Sequence, residues 1–417
     1  MKRVVVTGMG VVTPLGCDLE TFERRMFAGE SGISGIRGKL VVDNFPVPYA
    51  GLVDKSSVEI PEDFPDVAKS RFWLFSASAT SEAIQGLDPK HSIDGIVYGT
   101  AEGVSFEVIH ETLHELEISK NLASFDWRET ETEGSLEILG KLLLTRGFRA
   151  LPSENLIAIN SACASGNQAL GIAFQRIRSG EWTRCLTGGV DARCNLSSLM
   201  NFHLLGAVTT ADVPPETASR PFSKDRSGFV RSEGAATLLL ETLDSAQARG
   251  AKIYGEVLGC ANTSDAYRLT DGREDGASVV HAMTEALKDA KLSPEQVNYI
   301  SAHGTSTPLN DRLETQSIKK VFGDRAKKIP ISSLKSQIGH PTVAAGAIEA
   351  IASLIMLQRQ KIAPTINLKA PDPECDLDYV PNVSREARVS HILSNSFGFG
   401  GQNSCVVLKE FPMHEAR

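Results

Sequence analysis

Cysteine is scarce: seven residues in 417, at positions 17, 163, 185, 194, 260, 375 and 405, odd in number and without a Cys-x-x-Cys pair. That argues against a disulfide scaffold or a zinc site and for a reducing cytoplasm. Long apolar runs are missing too. No stretch approaches ~18 uninterrupted apolar residues, so no membrane span is expected. Basic runs are also absent, with 43 Lys+Arg against 51 Asp+Glu for a net charge of −8. Such a balance excludes wholesale binding to nucleic acid or anionic membrane. The opening Met1-Lys2-Arg3 is basic, but only Val4–Val6 follow before a Thr-Gly pair. It reads as a first strand and not as a signal peptide. No low-complexity linker interrupts the chain; Glu129–Gly134 is its most acidic tract and Pro371–Pro373 marks a loop.

At about 150 residues per domain, this length allows two to three domain equivalents or one large α/β unit. Short β-branched runs (3–6, 95–99, 156–160, 235–240, 253–259, 299–302, 329–332, 392–396, 405–408) alternate with helical patterns. The latter fall near 18–28, 70–86, 104–116, 134–146, 164–178, 276–290, 311–322 and 344–359. That alternation predicts an α/β architecture with substantial parallel sheet. Leu156–Asn160 is apolar without alternation, as a strand covered on both faces should be. The two halves look alike in plan, which suggests a duplicated fold split near residue 250.

Several segments can carry chemistry. Thr7-Gly8-Met9-Gly10 resembles a dinucleotide turn, but Thr13 replaces the third glycine and Pro14 interrupts the expected helix. A tight structural turn is the better reading. Cys163, in Asn160-Ser161-Ala162-Cys163-Ala164-Ser165-Gly166, falls where an apolar strand stops and a small-residue helix begins. A thiol there feels the positive end of the helix dipole, which favours thiolate, and free N–H groups can hold an oxyanion. An inert buried cysteine is the competing reading. His303 ends a strand ahead of Gly304, and His340 precedes the small-residue helix around Ala344–Ala347. In α/β sheets ligands bind at the carboxyl ends of strands. His110 and His114, spaced i, i+4 among glutamates, read as a solvated helix face and not as a metal site. Asn395–Asn403 is glycine-rich between two strands, so Phe399 sits either in a plain hairpin turn or in a ligand gate.

Taken together, these segments resemble the elongating β-ketoacyl-[acyl-carrier-protein] synthases, closest to the synthase II branch. The resemblance runs nearly the whole chain and includes Arg220–Val230 and Ser264–Tyr267. It implies a thiolase-like duplicated fold, layered αβαβα, with halves 1–255 and 256–417, usually paired as a dimer. It also implies a decarboxylative Claisen condensation in which Cys163 accepts an acyl group and malonyl carrier protein then supplies the attacking carbon. By that resemblance His303 and His340 stabilise the enolate, and the N–H groups of Cys163 and Phe399 hold the thioester oxygen. Lys335 orients the site electrostatically and pairs with Glu314, while Asp311 and Glu349 support it from behind. Thr305 and Thr307, with Thr270, face the pantetheine arm; Lys69 and Arg71 face the acidic carrier protein. No resident cofactor or metal is implied, because substrates arrive on the phosphopantetheine of acyl carrier protein.

The chain departs from the family pattern at Leu334, Val343, Ser232 and Gln402, of which Val343 and Gln402 are expected to reshape the pocket wall. It departs more broadly over 100–135, where Ser124–Glu133 is acidic in place of an apolar interface segment. Burying those carboxylates unpaired would cost several kcal/mol. Two placements follow: a fatty-acid homodimer, or a specialised polyketide or polyene synthase with a chain-length-factor-like partner. A degradative thiolase would need a second reactive cysteine in Gly398–Gly401, and a starter-unit enzyme an asparagine in place of His340. The non-catalytic chain-length subunit is the alternative from another class; it typically lacks the nucleophile.

Overall fold

The computed structural model describes residues 1–101 and 134–412. The helical pattern near 104–116, His110, His114, the acidic tract up to Glu133 and His414 lie outside the described residues.

Ten strands form one sheet: β1 (Val4–Val12), β2 (Gly95–Gly99), β3 (Leu156–Ile159), β4 (Arg184–Asp191), β5 (Gly234–Thr242), β6 (Gly255–Ser264), β7 (Tyr299–Ser301), β8 (Ile331–Ser332), β9 (His391–Gly398) and β10 (Gln402–Lys409). Their order is β8-β7-β9-β10-β6-β1-β5-β4-β2-β3. Outward from the centre, each half therefore runs first, fifth, fourth, second, third strand. Pairing senses repeat as well. The second strand is parallel to the third and fourth, and the fifth is antiparallel to both neighbours. The halves join where Val4–Val6 pair antiparallel with Gly255–Val257.

The helices that matter here are α1 (Arg71–Ala83), α2 (Ser165–Ser179), α3 (Leu196–Leu204), α4 (Ala277–Asp289), α5 (Pro308–Phe322) and α6 (Ala345–Arg359). Three apolar clusters define the layers. The central one gathers Leu170, Ala173 and Phe174 of α2 with Ile348, Ile351 and Ile355 of α6 and strand residues of both halves. An outer one joins Trp73, Leu74 and Phe75 of α1 to the first half, and another joins Val279, Ala282 and Met283 of α4 to the second. Strand β5 shows why no alternation is visible. Ala236, Leu238 and Leu240 face the central layer while Ala235 and Leu239 face the outer one, so all are buried. The segment Thr342–Arg359 is long and apolar enough to cross a membrane, but it is mostly buried as the central helix.

Two sequence readings are corrected. The Gly8–Gly10 cluster is not a turn; both glycines lie inside β1. Their missing side chains let α1 sit directly on the strand, since a Cβ at Gly8 would fall 1.9 Å from Ala83 O and one at Gly10 2.0 Å from Ala79 O. Strand β4 was missed because Gly188-Gly189 resembles punctuation. A Cβ at Gly188 would meet Ala236 O of the next strand at 2.0 Å. Helix α3 was missed as well.

Gly10→Ala should therefore force α1 off the sheet and cost ~3 kcal/mol, the upper range for overpacking. A depressed thermal midpoint checks this; an unchanged one would mean that the helix rises without penalty.

Candidate active site

Each central helix is entered through a strained link. Between β3 and α2, Ala162 adopts φ 49°, a left-handed conformation that costs a non-glycine residue energy. Ser165 Oγ pins the link by accepting from Ser161 N–H at 2.8 Å and donating to Ala162 O at 2.7 Å. Cys163 is placed there, just ahead of α2. In the second half the short helix Lys335–Ile338 ends at Gly339, and His340 N–H donates to Val230 O at 2.7 Å. His303 follows β7, where Glu314 of α5 accepts from the N–H groups of His303 (2.9 Å) and Gly304 (2.8 Å).

These links converge. Cys163 Sγ lies 3.2 Å from His340 Nε2, and the two imidazole centroids are 5.3 Å apart at 82°. Phe229 packs edge-on to His340 and Phe397 to His303, at 5.1 and 5.6 Å. The turn between β9 and β10, which carries Phe399, comes up against Cys163 on the cavity wall. Gly398 leaves room for this approach, since a Cβ there would stand 3.0 Å from Cys163 N. A cavity of about 280 Å³ opens onto Cys163, His303, His340 and Phe399, with Thr270, Thr305 and Thr307 also on its wall. Thr305 and Thr307 share a hydroxyl hydrogen bond of 2.8 Å. Arg226 steadies their loop by donating to Thr307 O and Pro308 O at 3.2 and 2.9 Å.

Several expected placements change. Lys335 is buried and does not line the cavity. Its Nζ pairs with Glu349 at 2.5 Å and not with Glu314, which instead accepts from the His303 and Gly304 backbone and from Asn395 Nδ2 at 3.1 Å. Asp311 accepts from Phe222 N–H at 2.8 Å. Arg71 is not held out as a free cation: it pairs with buried Glu233 and donates to Val53 O at 3.1 Å. The Lys69 side chain lies outside the described ones. Val343 and Gln402 are not on the cavity wall; Val343 is buried against Gly166, and Gln402 pairs with Ser264.

Electrostatics correct one more expectation. Burial pushes the Cys163 thiol up to about 11, outweighing the pull of Lys335, Arg231 and the Phe399 N–H. The helix start does not leave a resting thiolate. Burial also holds both imidazoles well below their ordinary value, with Lys335 adding to the effect, so both are neutral. Burial pushes the Glu349 carboxyl up to about 7 against the opposing charge of Lys335. The resting site is thus a neutral thiol beside two neutral imidazoles, one of them with a ring nitrogen at hydrogen-bond distance from the sulfur. It can support acyl transfer through sulfur and can donate hydrogen bonds to a developing oxyanion.

The N-terminal domain of β-ketoacyl synthases matches residues 1–83 and 155–246, and the C-terminal domain matches 254–369. The chain belongs to the β-ketoacyl synthase family. A 3-oxoacyl-[acyl-carrier-protein] synthase 2 from Synechocystis is 38% identical, with 98% of each chain covered. Among solved structures, the ketosynthase of AntDE:AntF, described as a type II PKS acyl-carrier protein in complex with its ketosynthase, superimposes with TM-score 0.88. It shares 34% identity, with 98% of this chain and 100% of that one covered. The ishigamide ketosynthase/chain length factor gives TM-score 0.85 at 32% identity, over 99% of this chain and 100% of that one.

Two functional supports of this ketosynthase were not singled out from sequence. Asp191, at the end of β4, is fully buried and accepts from Arg231 Nη2 at 2.6 Å and from Thr342 Oγ1. Arg231, also fully buried, donates to His340 O at 3.3 Å. Burial alone would raise the Asp191 carboxyl, but Arg193 and Arg231 hold it well below the usual range. A carboxylate of the first half thereby holds the Thr342 hydroxyl directly and the His340 carbonyl through Arg231. The only sequence signal was an arginine flanked by apolar and small residues in Phe229-Val230-Arg231-Ser232.

With its ionisation so far up, the Cys163 thiolate fraction should climb ~10-fold per pH unit through neutrality. Alkylation of Cys163, followed by mass spectrometry, should rise between pH 7 and 9 without levelling. A plateau below pH 8 would show that the dipole overcomes burial.

Proposed function

We propose that this chain catalyses the condensation of an acyl thioester, held on Cys163, with malonyl-acyl carrier protein to give 3-oxoacyl-acyl carrier protein and carbon dioxide. The observation that carries this reading is the convergence of Cys163, His340 and His303 on one cavity. In the first stage Cys163 Sγ attacks the incoming thioester carbonyl. Its proton passes by way of His340 Nε2 to the departing carrier thiolate. The N–H groups of Cys163 and Phe399 take up the negative charge on the carbonyl oxygen. In the second stage the malonyl carboxylate leaves as carbon dioxide and its electrons form an enolate. Neutral His303 and His340 donate hydrogen bonds to the enolate oxygen, and its carbon attacks the acyl-Cys163 carbonyl, expelling the Cys163 thiolate, which takes up a proton from solvent to restore the thiol. Lys335 serves by position, through its charge. Thr270, Thr305 and Thr307 serve the pantetheine arm on which the substrates arrive.

Acyl carrier protein is the substrate-bearing partner. The chain also pairs with a second subunit: among the described residues β3 ends the sheet, and all four residues of Leu156–Ile159 are only half-buried. That partner is either a second copy or a chain-length-factor-like subunit. Seven free cysteines, one of them needed as a thiol, fit work in a reducing cytoplasm. Cys163 beside two imidazoles speaks against the non-catalytic chain-length subunit.

Incubation with acyl-loaded carrier protein should give an acyl adduct by intact mass, and Cys163→Ala should give none. His303→Ala should acylate as the parent does and His340→Ala should still acylate, but more slowly for want of the relay; both should lose ~10²–10³-fold in decarboxylation of malonyl carrier protein, the scale for removing one oxyanion donor. Normal decarboxylation by both variants would refute the enolate role.

A further inference from the structure

A second cavity, of about 790 Å³, lies in the outer layer of the first half and shares no described lining residue with the catalytic one. One wall is the helix α1. The Ala79 and Ala83 carbonyls rest on Gly10 and Gly8 of β1, and Ser78, Ser81 and Glu82, at helical spacing i, i+3, i+4, line the cavity as a polar stripe. The loop carrying Glu59, Glu62 and Asp63 and the helix start at Asp18 supply further walls.

Charge here is lopsided. Among the described lining residues five carboxyl groups face one cation, Arg146, which already donates to Asp63 at 3.0 Å. Asp18 caps the helix Leu19–Ala28 by accepting from Thr21 N–H at 2.7 Å. Glu82 accepts from Val11 N–H at 3.0 Å and Leu19 N–H at 2.8 Å. Burial pushes its carboxyl up to about 7 against the pull of those N–H groups, and the charges of Asp18 and Glu59 add to the push. Glu59 and Glu62 are exposed and form no ion pair among the described residues. Residues 102–133, outside the described ones, hold nine Asp/Glu and two Lys/Arg, so they contain no basic segment to restore the balance.

Hydroxyl groups on the same wall point independently to a ligand. Ser78 is only 6% exposed, lines the cavity, and has no hydrogen-bond partner for its hydroxyl among the described residues. Ser81 Oγ is buried and unpartnered as well. Leaving a buried hydroxyl unpaired is costly, and a donor entering the cavity would relieve it. That donor is not a metal ion, since no three acidic, thiol or imidazole groups among the described residues gather to hold one. The negative charge is spread out instead, and Pro61, Leu87 and Phe148 add apolar surface between the polar groups. Such a lining fits an extended chain that alternates ammonium groups with methylene runs.

We propose that this cavity binds a linear aliphatic polyamine, whose ammonium groups donate to Glu59, Glu62, Glu82 and the Ser78 hydroxyl while its methylenes lie on the apolar walls. The site stands apart from the condensation and does not rest on the ketosynthase reading. A polyamine held there ties the 59–63 loop to α1 and, through Glu82, to the helix start at Leu19. Binding therefore stabilises the first half.

Spermidine is the probe. Calorimetric titration of the full chain at pH 8, where Glu82 is ionised, in roughly 0.1 M salt should show one saturable site. Spermidine should also raise the thermal midpoint, because a ligand of the folded state stabilises it. Magnesium at the same concentration should do neither. Glu59→Gln combined with Glu62→Gln should weaken spermidine about fivefold or more, the reach of two partly exposed ion pairs. Ser78→Ala should weaken it about threefold or more, a loss that a diffuse cloud of counterions would not show. Without spermidine both variants should melt where the parent does, since neither gives up a hydrogen bond. A parent that does not bind, magnesium that binds as well as spermidine, or undiminished affinity in either variant overturns the site.

Discussion

Everything at the site depends on how closely the two central helices meet. A Cβ at Gly166 of α2 would fall 2.6 Å from Ala347 N of α6, and one at Gly346 of α6 would fall 2.7 Å from Asn167 N of α2. The same position in each half is a glycine, and each faces the backbone of the other helix. No side chain larger than hydrogen fits on either. Because the links preceding these helices carry Cys163 and His340, the approach of the helices sets the distance between sulfur and imidazole. Close packing transmits any displacement, as protein interiors have little free volume to absorb it. The duplication is therefore more than a way to build a large sheet. It aims two helix starts, one from each half, at one point, so that the thiol comes from one half and the imidazoles from the other.

That arrangement sets two physical effects against each other at Cys163. Helix N-termini favour negative charge, and burial disfavours any charge. Burial wins here in the resting state. The consequence is a thiol that stays protonated until a thioester carbonyl is in place to receive the electrons. A permanently ionised sulfur would be open to oxidation and alkylation in a cavity that opens to solvent. Backbone N–H groups fixed at a helix start or turn can act on charge that appears on a substrate oxygen. Such fixed dipoles give their stabilisation to the transition state, where it lowers the barrier.

Much of this was legible in the chain, and the failures have a common cause. The amphipathic helix Ala277–Asp289 and the all-round apolar helix Ala345–Arg359 stand close to where the helical patterns near 276–290 and 344–359 place them. Strand Gly95–Gly99 matches residue for residue. The differences involve glycine: Gly8 and Gly10 read as a turn, and Gly188-Gly189 hides a central strand. At Gly8, Gly10 and Gly188 the glycine is required by a backbone carbonyl packed 1.9–2.0 Å from the missing Cβ, a fact of tertiary packing that no local propensity contains. Pairings of buried charges failed for a similar reason. Lys335 has Glu314 and Glu349 both within the second half's machinery, and only the path of α6 decides that Glu349 receives it. Asp191 and Arg231 are 40 positions apart and meet only because β4 and the link after Phe229 converge on His340.

The buried Lys335–Glu349 pair looks at first like an expensive ornament, since isolated ion pairs in an apolar interior often fail to recover their desolvation cost. Its placement gives it a task that an apolar pair could not perform. After burial, Lys335 is the largest influence holding both His303 and His340 neutral, and it is also the foremost charge drawing the Cys163 thiol downward. One ammonium thus biases three groups in the directions the reaction needs: imidazoles that keep a proton to donate without becoming cations, and a sulfur more ready to release its own. Glu349 keeps that ammonium in place without lining the cavity, so substrate never competes for it. Seen this way, the charge sits behind the reacting groups because contact with substrate would neutralise the field it exists to supply.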